Sequence, residues 1–487
     1  MGTLHEFPVQ RKPGSIEPQQ ELARALRLAV DARVGAEASF EDREVAALAV
    51  TNEATRLFLL DELMAIRDRH GELVEVDGVI YQHHEPGTVR YYTLCGSFDI
   101  ERWTYRQVGV RNGPTIVPME LEAGLVEHST PALGFRIALG YAKDHMRSCE
   151  EDMKADRRCP PSRSTLERIA KAIGTKARQA APRILSRLRR VEVVPEGAVA
   201  ISIGLDRTSV PMEEDIPAGE VPATRRKQRT NPYERQKPDP VNVKYRMAYV
   251  ATFAFHSADG EELGTRVYTA AADEPPPELL VSPLMADLAN ALRQVPTLAI
   301  GVIQDGAPEL WNLLTPAVSA HPLVTKHYEA IDRYHLCEHL SEVLTYVEPD
   351  ASARREQLSR WNESLDLNDN AIYRVREYVR DKYADAITRD DLQLLEKLDP
   401  HLTYLENNAH RMRYASLRDV GLPVGSGVTE GACKSAIGMR TNGGGQRWRP
   451  EGLEAVLTLR SNHRSDRLPR FWASFSRTYR KEVSRCA

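Results

Sequence analysis

The sequence predicts an α/β fold whose central sheet carries acidic residues where buried strands end. Residues 197–205 form a nearly continuous apolar run that ends at Asp206. Residues 297–304 form a second such run, which ends at Asp305. Runs of this kind are typical of strands buried on both faces. Open α/β sheets place their functional sites at the carboxyl ends of such strands, so both acids are candidate site residues.

Composition indicates an ordinary globular protein. The 487 residues are 42% hydrophobic and 28% charged, with a formal net charge of -4. The six cysteines are scattered and form no Cys-x-x-Cys motif, which favours reduced thiols in a cytosolic protein. The first residues do not resemble a signal peptide, and no apolar run approaches the roughly 18 residues of a membrane span. We therefore expect a cytoplasmic protein that makes no contact with a membrane.

The first part of the chain is predicted to be mostly helical, with one small sheet. Residues 1–73 have helical apolar spacing after a loose arm at 1–19, which indicates a packing or dimerisation unit. Residues 74–118 alternate apolar and polar side chains between glycine-containing turns, so we expect a small antiparallel sheet. Within it, His83 and His84 beside Glu85 are more typical of a polar strand end than of a metal site.

Residues 119–195 are predicted to be a helix-turn-helix-like DNA-binding region. Helical patterns cover Leu133–Met146 and Ser164–Gly174, and a short turn between two helices is compatible with this motif. The window 154–190 carries a net charge of +10. Because such an excess is a plausible footprint for phosphates, we expect DNA contacts from three cations in this region: Arg163, Arg168 and Lys171.

The second part of the chain contains the predicted catalytic core in two pieces. Residues 196–348 are its first part, with a polar, proline-rich loop at 211–240, and residues 349–421 are an almost wholly helical insertion. The last part, 422–487, opens with a Gly-Ser-Gly turn, and Glu430 follows at the start of a helix. Ser426 or Thr429 is predicted to cap this helix.

The C-terminal tail is basic and rich in aromatic residues. Residues 432–487 have a charge balance of +8, with aromatic side chains interleaved among the bases. This mixture suits phosphate pairing and base stacking, although a helix that packs its aromatics on the core would show the same pattern. The cations expected to hold phosphates near the acids are Lys434, Arg440, Arg447 and Arg449.

Asp206, Asp305 and Glu430 form the constellation that points to chemistry. Each acid alone is as typical of a turn or a helix cap. Together they suit phosphodiester chemistry, in which two Mg²⁺ ions about 4 Å apart activate the attacking oxygen and stabilise the leaving one. Mg²⁺ prefers carboxylate oxygens and keeps several waters, so few protein ligands suffice. We therefore expect all three acids to be Mg²⁺ ligands, with Mn²⁺ as a substitute.

Several motifs in this order resemble the bacterial insertion-sequence transposases of the ISKra type. They are Gly204-Leu-Asp-Arg-Thr-Ser-Val-Pro-Met, Gln304-Asp-Gly-Ala-Pro-Glu-Leu-Trp, Asp332-Arg-Tyr-His-Leu-Cys-Glu-His-Leu, Pro423-Val-Gly-Ser-Gly-Val-Thr-Glu-Gly-Ala-Cys-Lys and Met439-Arg-Thr-Asn-Gly-Gly-Gly-Gln-Arg-Trp. The resemblance covers about 195–465 well. It implies an RNase H-like mixed sheet with an Asp-Asp-Glu triad, carried here by Asp206, Asp305 and Glu430.

The resemblance also implies an activity. The protein would cleave strands at insertion-sequence ends and transfer them into target DNA. Its expected partners are double-stranded DNA, both terminal inverted repeats and target, and further copies of itself in a dimer or larger oligomer. The expected setting is the bacterial cytoplasm at the nucleoid. Two other interpretations remain open: a nuclease of the same fold that cuts without joining, and a domesticated DNA-binding protein without catalysis.

A histidine-rich segment before the insertion has two interpretations. His335, Glu338 and His339 share one helical face beside Cys337, which is compatible with a zinc site. We favour Asp332 and His335 as residues that support the acidic site or contact DNA.

Overall fold

The computed structural model describes residues 16–215, 241–271 and 278–486, with side chains from residue 19 onward. The chain divides into two compact units. The first comprises Met1–Gly140, Asp144–Ala172 and Ser476–Ala487, and the second comprises Tyr141–Lys143 and Ile173–Phe475.

Helices and strands alternate along the chain in two series. Up to the end of the long basic helix they are α1 Ile16–Val34, α2 Phe40–Arg69, β1 Leu73–Val76, β2 Val79–Thr93, β3 Gly96–Gln107, β4 Thr115–Ile116, α3 Pro118–Ala123, α4 Pro131–Lys143, α5 Met146–Ala155 and α6 Arg163–Arg189. After it follow β5 Ala200–Glu214, β6 Asn242–His256, β7 Glu262–Ala270, α7 Glu278–Gln294, β8 Ala299–Gln304, α8 Pro308–Ser319, β9 Tyr328–Ile331, α9 Arg333–Val347, α10 Ala351–Leu367, α11 Ala371–Thr388, α12 Leu392–Asn408, a short 3₁₀ helix Ala409–Arg411, α13 Tyr414–Asp419, α14 Gly427–Ala432, a π-helical turn Cys433–Gly438, α15 Met439–Thr441, α16 Pro450–Arg464, α17 Leu468–Ser476 and β10 Val483–Arg485.

The first unit is built on a five-stranded antiparallel sheet in the order β10-β1-β2-β3-β4. Tyr91, Phe98 and Ile100 on its strands pack against Leu63 of α2 and Met119 of α3. The small sheet predicted at 74–118 is therefore confirmed. Its edge strand β10 was missed, because a three-residue strand in a basic tail has no pattern of its own.

The helices of this unit differ from the predicted helix-turn-helix. The two predicted segments correspond to α4 and to part of α6, but α5 lies between them. The prediction of one short turn joining two helices is therefore wrong. The approach of α4 to α5 is close, because a Cβ on Gly140 would lie 2.3 Å from Cys149 Sγ. The predicted arm is also too long at its end, since residues 16–19 belong to α1, while 1–15 lie outside the described residues.

The second unit is built on a five-stranded mixed sheet in the order β7-β6-β5-β8-β9. β5, β6 and β7 pair antiparallel. β8 pairs parallel to β5, and β9 pairs parallel to β8. The mixed α/β architecture predicted for this part of the chain is confirmed, with α7 and α8 connecting the parallel strands.

Strand β5 runs further than the apolar pattern predicted. It continues to Glu214, and its whole length pairs with β6, so Asp206 lies within the strand rather than at its end. The pairing of β5 with β8 stops at Ile203. Asp206 therefore stands just past the last residue that β8 covers, which leaves it accessible on that side. The predicted loop at 211–240 is likewise wrong for 211–214, and 216–240 lie outside the described residues.

The helical insertion predicted at 349–421 is confirmed and packs onto the sheet unit. Its apolar side chains share one hydrophobic core with the strands and with α7, α8 and α9. Polar contacts add to this packing: Arg333 donates to Asn362 Oδ1 at 2.9 Å, and Tyr414 Oη donates to the Ile331 carbonyl at 3.1 Å. The insertion is thus anchored beside β9 and the start of α9.

Aromatic residues of the tail are part of the core. Phe471, Trp472 and Phe475 of α17 are buried, so they do not present a stacking surface for DNA bases. Of the two interpretations of the tail, packing accounts for these three side chains. None of the helices in the described ranges is long and apolar enough to cross a membrane.

Candidate active site

A glycine on β5 brings the helix of Glu430 against the sheet. A Cβ on Gly204 would lie 2.3 Å from Thr429 Oγ1 and 2.7 Å from the Ile303 carbonyl oxygen. Thr429 is held on its other side by Thr252 of β6, with the two hydroxyl oxygens 2.6 Å apart. Because only glycine leaves room for this approach, the residue two positions before Asp206 determines how closely Glu430 comes to the strand.

The three predicted acids line one cleft of about 480 Å³. Asp206 comes from β5, Asp305 from the end of β8 and Glu430 from α14. Asp206 Oδ1 accepts from the backbone N–H of Arg207 at 2.6 Å, and Asp305 Oδ1 accepts from that of Ala307 at 3.0 Å. Residues far apart in sequence therefore supply carboxylates to a single open space.

The acids interact electrostatically. Burial is the largest cause that raises the pKa of Asp206, and the negative charges of Asp305 and Glu430 raise it further. Hydrogen bonds from the Arg207 backbone and from the Cys433 thiol oppose this shift without cancelling it. Burial and the adjacent Asp206 charge raise the pKa of the Cys433 thiol, so this thiol stays protonated and donates. A cation in the cleft would relieve the repulsion between the carboxylates.

Glu430 has polar neighbours on several sides. The Ser426 hydroxyl lies 2.9 Å from Glu430 Oε1, and His335 Nε2 lies 3.7 Å from the same oxygen. Lys434 Nζ lies 3.8 Å from Glu430 Oε2. The predicted capping by Ser426 or Thr429 is wrong, since neither hydroxyl bonds an N–H of α14. Directly after this helix comes a π-helical turn, a distortion that is frequent at functional sites.

Asp332 organises the floor of this region. It is 2% exposed, caps the N-terminus of α9, and accepts from the N–H groups of Tyr334 and His335 at 2.6 and 3.0 Å. Its second oxygen accepts from the Ser426 backbone N–H and lies 2.8 Å from the Ser426 hydroxyl. A hydroxyl has one proton, so Ser426 donates either to Asp332 or to Glu430, and it couples the two carboxylates.

His335 lies on the same wall of the cleft. Burial lowers its pKa, but the hydrogen bond to Glu338 and the negative charges of Asp332 and Glu430 outweigh it, so the pKa is raised. The neighbouring candidates for a zinc site point elsewhere. His339 pairs with His401, and the Cys337 thiol donates to Asn362 at 3.2 Å. These four side chains therefore do not converge on one metal position.

The donor chemistry of the cleft fits a divalent cation. Carboxylate oxygens are the preferred ligands of Mg²⁺, and all three acids open into the same cleft. A second grouping uses part of the same wall: ligand atoms of Asp332, His335 and Glu430 lie within 4.8 Å of one another. In that grouping Asp332 already accepts several protein donors, so we place it with the supporting residues rather than with the metal ligands.

The predicted phosphate-binding cations differ in exposure. Lys434 has a side chain 79% exposed at the cleft. Arg447 is exposed, and so is Arg449, which pairs with Glu213 and Asp215. Arg440 is 5% exposed, and its guanidinium packs over the Trp448 ring at 4.9 Å. An arginine buried in this way does not present its charge to DNA, so we remove Arg440 from the set.

In the first unit, the predicted DNA-binding cations lie along one helix. Arg163, Arg168 and Lys171 are exposed on α6, while Leu166 and Ile169 are fully buried. Arg168 forms an ion pair with Glu127 at 3.0 Å. The helix is thus amphipathic, with its basic face outward.

Sequence reasoning missed Ser426, Thr429 and Cys433 as neighbours of the acids. Their positions beside Glu430 in the Gly-Ser-Gly-Val-Thr-Glu segment were the available signal. Their partners are Asp332, Thr252 and Asp206. These partners are distant in sequence, and the local pattern does not predict them.

Comparisons with known proteins leave the family open. No family model matches the chain, and no curated protein matches it. One solved structure with a similar arrangement is the "Drosophila P element transposase strand transfer complex". It is 12% identical, with a TM-score of 0.38, over 69% of this chain and 92% of that chain.

Proposed function

We propose that this protein is a DNA transposase with an RNase H-like catalytic core, in which Asp206, Asp305 and Glu430 form the catalytic triad. The observation that carries the proposal is the convergence of these three carboxylates in one cleft. Such a site suits the cleavage of strands at the ends of a mobile element and their transfer into target DNA.

The topology of the second unit also supports the proposal. Three antiparallel strands followed by two parallel ones, in the order β7-β6-β5-β8-β9, is the arrangement expected of an RNase H-like sheet. The first two acids come from its adjacent central strands, and the third comes from the helix packed across Gly204. The motifs that resemble ISKra-type transposases include all three acids.

The residues of the cleft suggest how the reaction would be supported. Asp206, Asp305 and Glu430 would hold Mg²⁺ or Mn²⁺, which supplies activation of the attacking oxygen and stabilisation of the leaving oxygen. Arg207 and Cys433 orient the Asp206 carboxylate by donating to it. Ser426 and His335 flank the carboxylate of Glu430.

Basic side chains would hold the DNA. Lys434 stands at the cleft with an exposed ammonium group, and Arg447 and Arg449 follow in the chain. The outward basic face of α6, with Arg163, Arg168 and Lys171, would add phosphate contacts. Binding of this kind weakens steeply with salt because it releases counterions from the duplex. A dimer or larger oligomer on DNA is part of the proposal.

A nuclease without joining activity is the second candidate, since the same acids would serve hydrolysis alone. The appearance of joined products, in which the element end is linked to target DNA, separates the two.

Cleavage should require Mg²⁺ or Mn²⁺. We expect the protein to nick a plasmid carrying its gene and flanking DNA with either ion, and to be inactive in EDTA. Ca²⁺ should not replace them, because its larger and looser coordination misplaces the reacting oxygens. The measurement is the conversion of supercoiled to nicked and linear plasmid on a gel. Equal cutting in excess EDTA would refute the proposed chemistry.

A further inference from the structure

The helical insertion reaches the loop of Asp305 through Tyr404 on α12. The Tyr404 ring is stacked on His339, with centroids 3.8 Å apart and planes within 11°. His339 Nδ1 in turn lies 2.8 Å from His401 Nδ1. A Cβ on Gly306 would lie 3.1 Å from Tyr404 Cε2. The ring is therefore held against the backbone that directly follows Asp305.

A second contact from the insertion supports the same loop. The Trp311 indole donates to the Asp305 carbonyl at 2.7 Å. The Arg411 guanidinium lies over the Trp311 ring at 4.0 Å and is held by Glu329 at 2.7 Å. Residues of the insertion thus contact both the residue after Asp305 and the side chain that bonds its carbonyl.

The hydroxyl of Tyr404 has no evident structural role. It is buried, and it has no hydrogen-bond partner among the described residues. A buried polar group without a partner costs stability, so phenylalanine would be the cheaper residue here. Burial is the largest cause that raises the pKa of Tyr404, and the negative charges of Asp332 and Asp305 raise it further. The hydroxyl therefore keeps its proton and lies within the field of these carboxylates.

Of the two carboxylates, Asp305 has the greater capacity to accept. A carboxylate offers about four acceptor positions. Asp332 already faces four donors, the N–H groups of Tyr334, His335 and Ser426 and the Ser426 hydroxyl. Asp305 Oδ1 accepts from Ala307, which leaves acceptor positions for a cation and for one more donor.

We infer that Tyr404 is a positioning residue for Asp305, whose carboxylate takes the Tyr404 hydroxyl proton in a hydrogen bond when the cleft holds a divalent cation. This hydrogen bond fixes the orientation in which Asp305 presents its other oxygen. It also gives the insertion a function, because α12 then completes the support of a metal ligand. The inference rests on the proposed function.

The test is Mn²⁺ binding to the full chain without DNA, measured by isothermal titration calorimetry. Tyr404→Phe removes only the hydroxyl and should weaken Mn²⁺ binding by about tenfold, as is usual when a partner of a metal ligand is lost. Its metal-free melting temperature should equal or exceed that of the parent. At saturating Mn²⁺, strand cleavage should return towards the parent rate. Tyr383→Phe is the control, because that hydroxyl bonds Asp399 within the insertion, and it should bind Mn²⁺ like the parent.

Two results would overturn the inference. One is a Tyr404→Phe variant that binds Mn²⁺ as tightly as the parent. The other is a loss of affinity accompanied by a lower metal-free melting temperature, which would mark a purely structural role. Failure of the proposed function looks different: the parent itself would bind no Mn²⁺, or Asp305→Asn would bind it as tightly as the parent. The inference would then fall as well.

Discussion

Strand cleavage should be lost in each of Asp206→Asn, Asp305→Asn and Glu430→Gln. These substitutions remove a charge with little change in volume, so they test metal positioning rather than packing. Charge stabilisation by a metal ion contributes several kcal/mol, and each 1.4 kcal/mol or so is tenfold in rate. We therefore expect a loss of about a thousandfold or more, measured as the rate of plasmid nicking with Mg²⁺. Asp259→Asn, in the exposed turn between β6 and β7, should cut at the parent rate.

Stability shows whether the triad variants remain folded. The raised pKa of Asp206 means that the folded protein binds a proton there more readily than the unfolded chain does. The metal-free parent should therefore lose stability as pH rises from the unfolded value towards the raised pKa. Asp206→Asn should lack this contribution and be at least as stable as the parent near pH 7. A variant that is well folded and still cuts normally would show that the wrong acid has been assigned.

Asp332→Ala should destabilise the protein and abolish cleavage together. Asp332 is buried and faces four donors from α9 and from Ser426. An unsatisfied buried donor costs about 1–3 kcal/mol, so we expect a loss of about 3–5 kcal/mol in the free energy of unfolding, measured with urea. Ser426 and His335 flank Glu430, so their displacement should also remove activity.

A matched control exists on the next helix. Asp350 caps α10 by accepting from the Ala353 N–H at 2.8 Å, but at an exposed position. Asp350→Ala should cost only about 1 kcal/mol, the usual value of a helix cap, and should leave cleavage intact. If Asp332→Ala behaved like Asp350→Ala in both measurements, Asp332 would be an ordinary cap with no part in the site.

The sequence was most informative where local patterns decide the structure. The apolar run before Asp305 is a buried strand that ends at the acid, as predicted. The run before Asp206 led to an error of position, because Arg207–Glu214 is polar and contains Pro211 yet pairs with β6 along its whole length. Such pairing depends on a partner strand about forty residues away, and a local pattern does not contain it.

The surroundings of the acids were harder to predict than the acids themselves. Ser426 was expected to cap its own helix, but its hydroxyl turns to Asp332 and Glu430. Arg440 was expected at a DNA surface, but Trp448 and Tyr141 enclose it. Tyr404 lies in an insertion whose sequence reads only as amphipathic helix. In each case the deciding contact joins residues whose proximity follows from the tertiary fold.

The central claim is that Asp206, Asp305 and Glu430 together hold divalent metal. Diffraction from crystals soaked in Mn²⁺, with anomalous differences recorded at the manganese edge, tests it most directly. We predict at least one Mn²⁺ bound jointly by Asp206 and one of the other two acids, at the roughly 2 Å expected for small divalent ions. Manganese found elsewhere on the protein, with these three carboxylates bound to none of it, would contradict the claim.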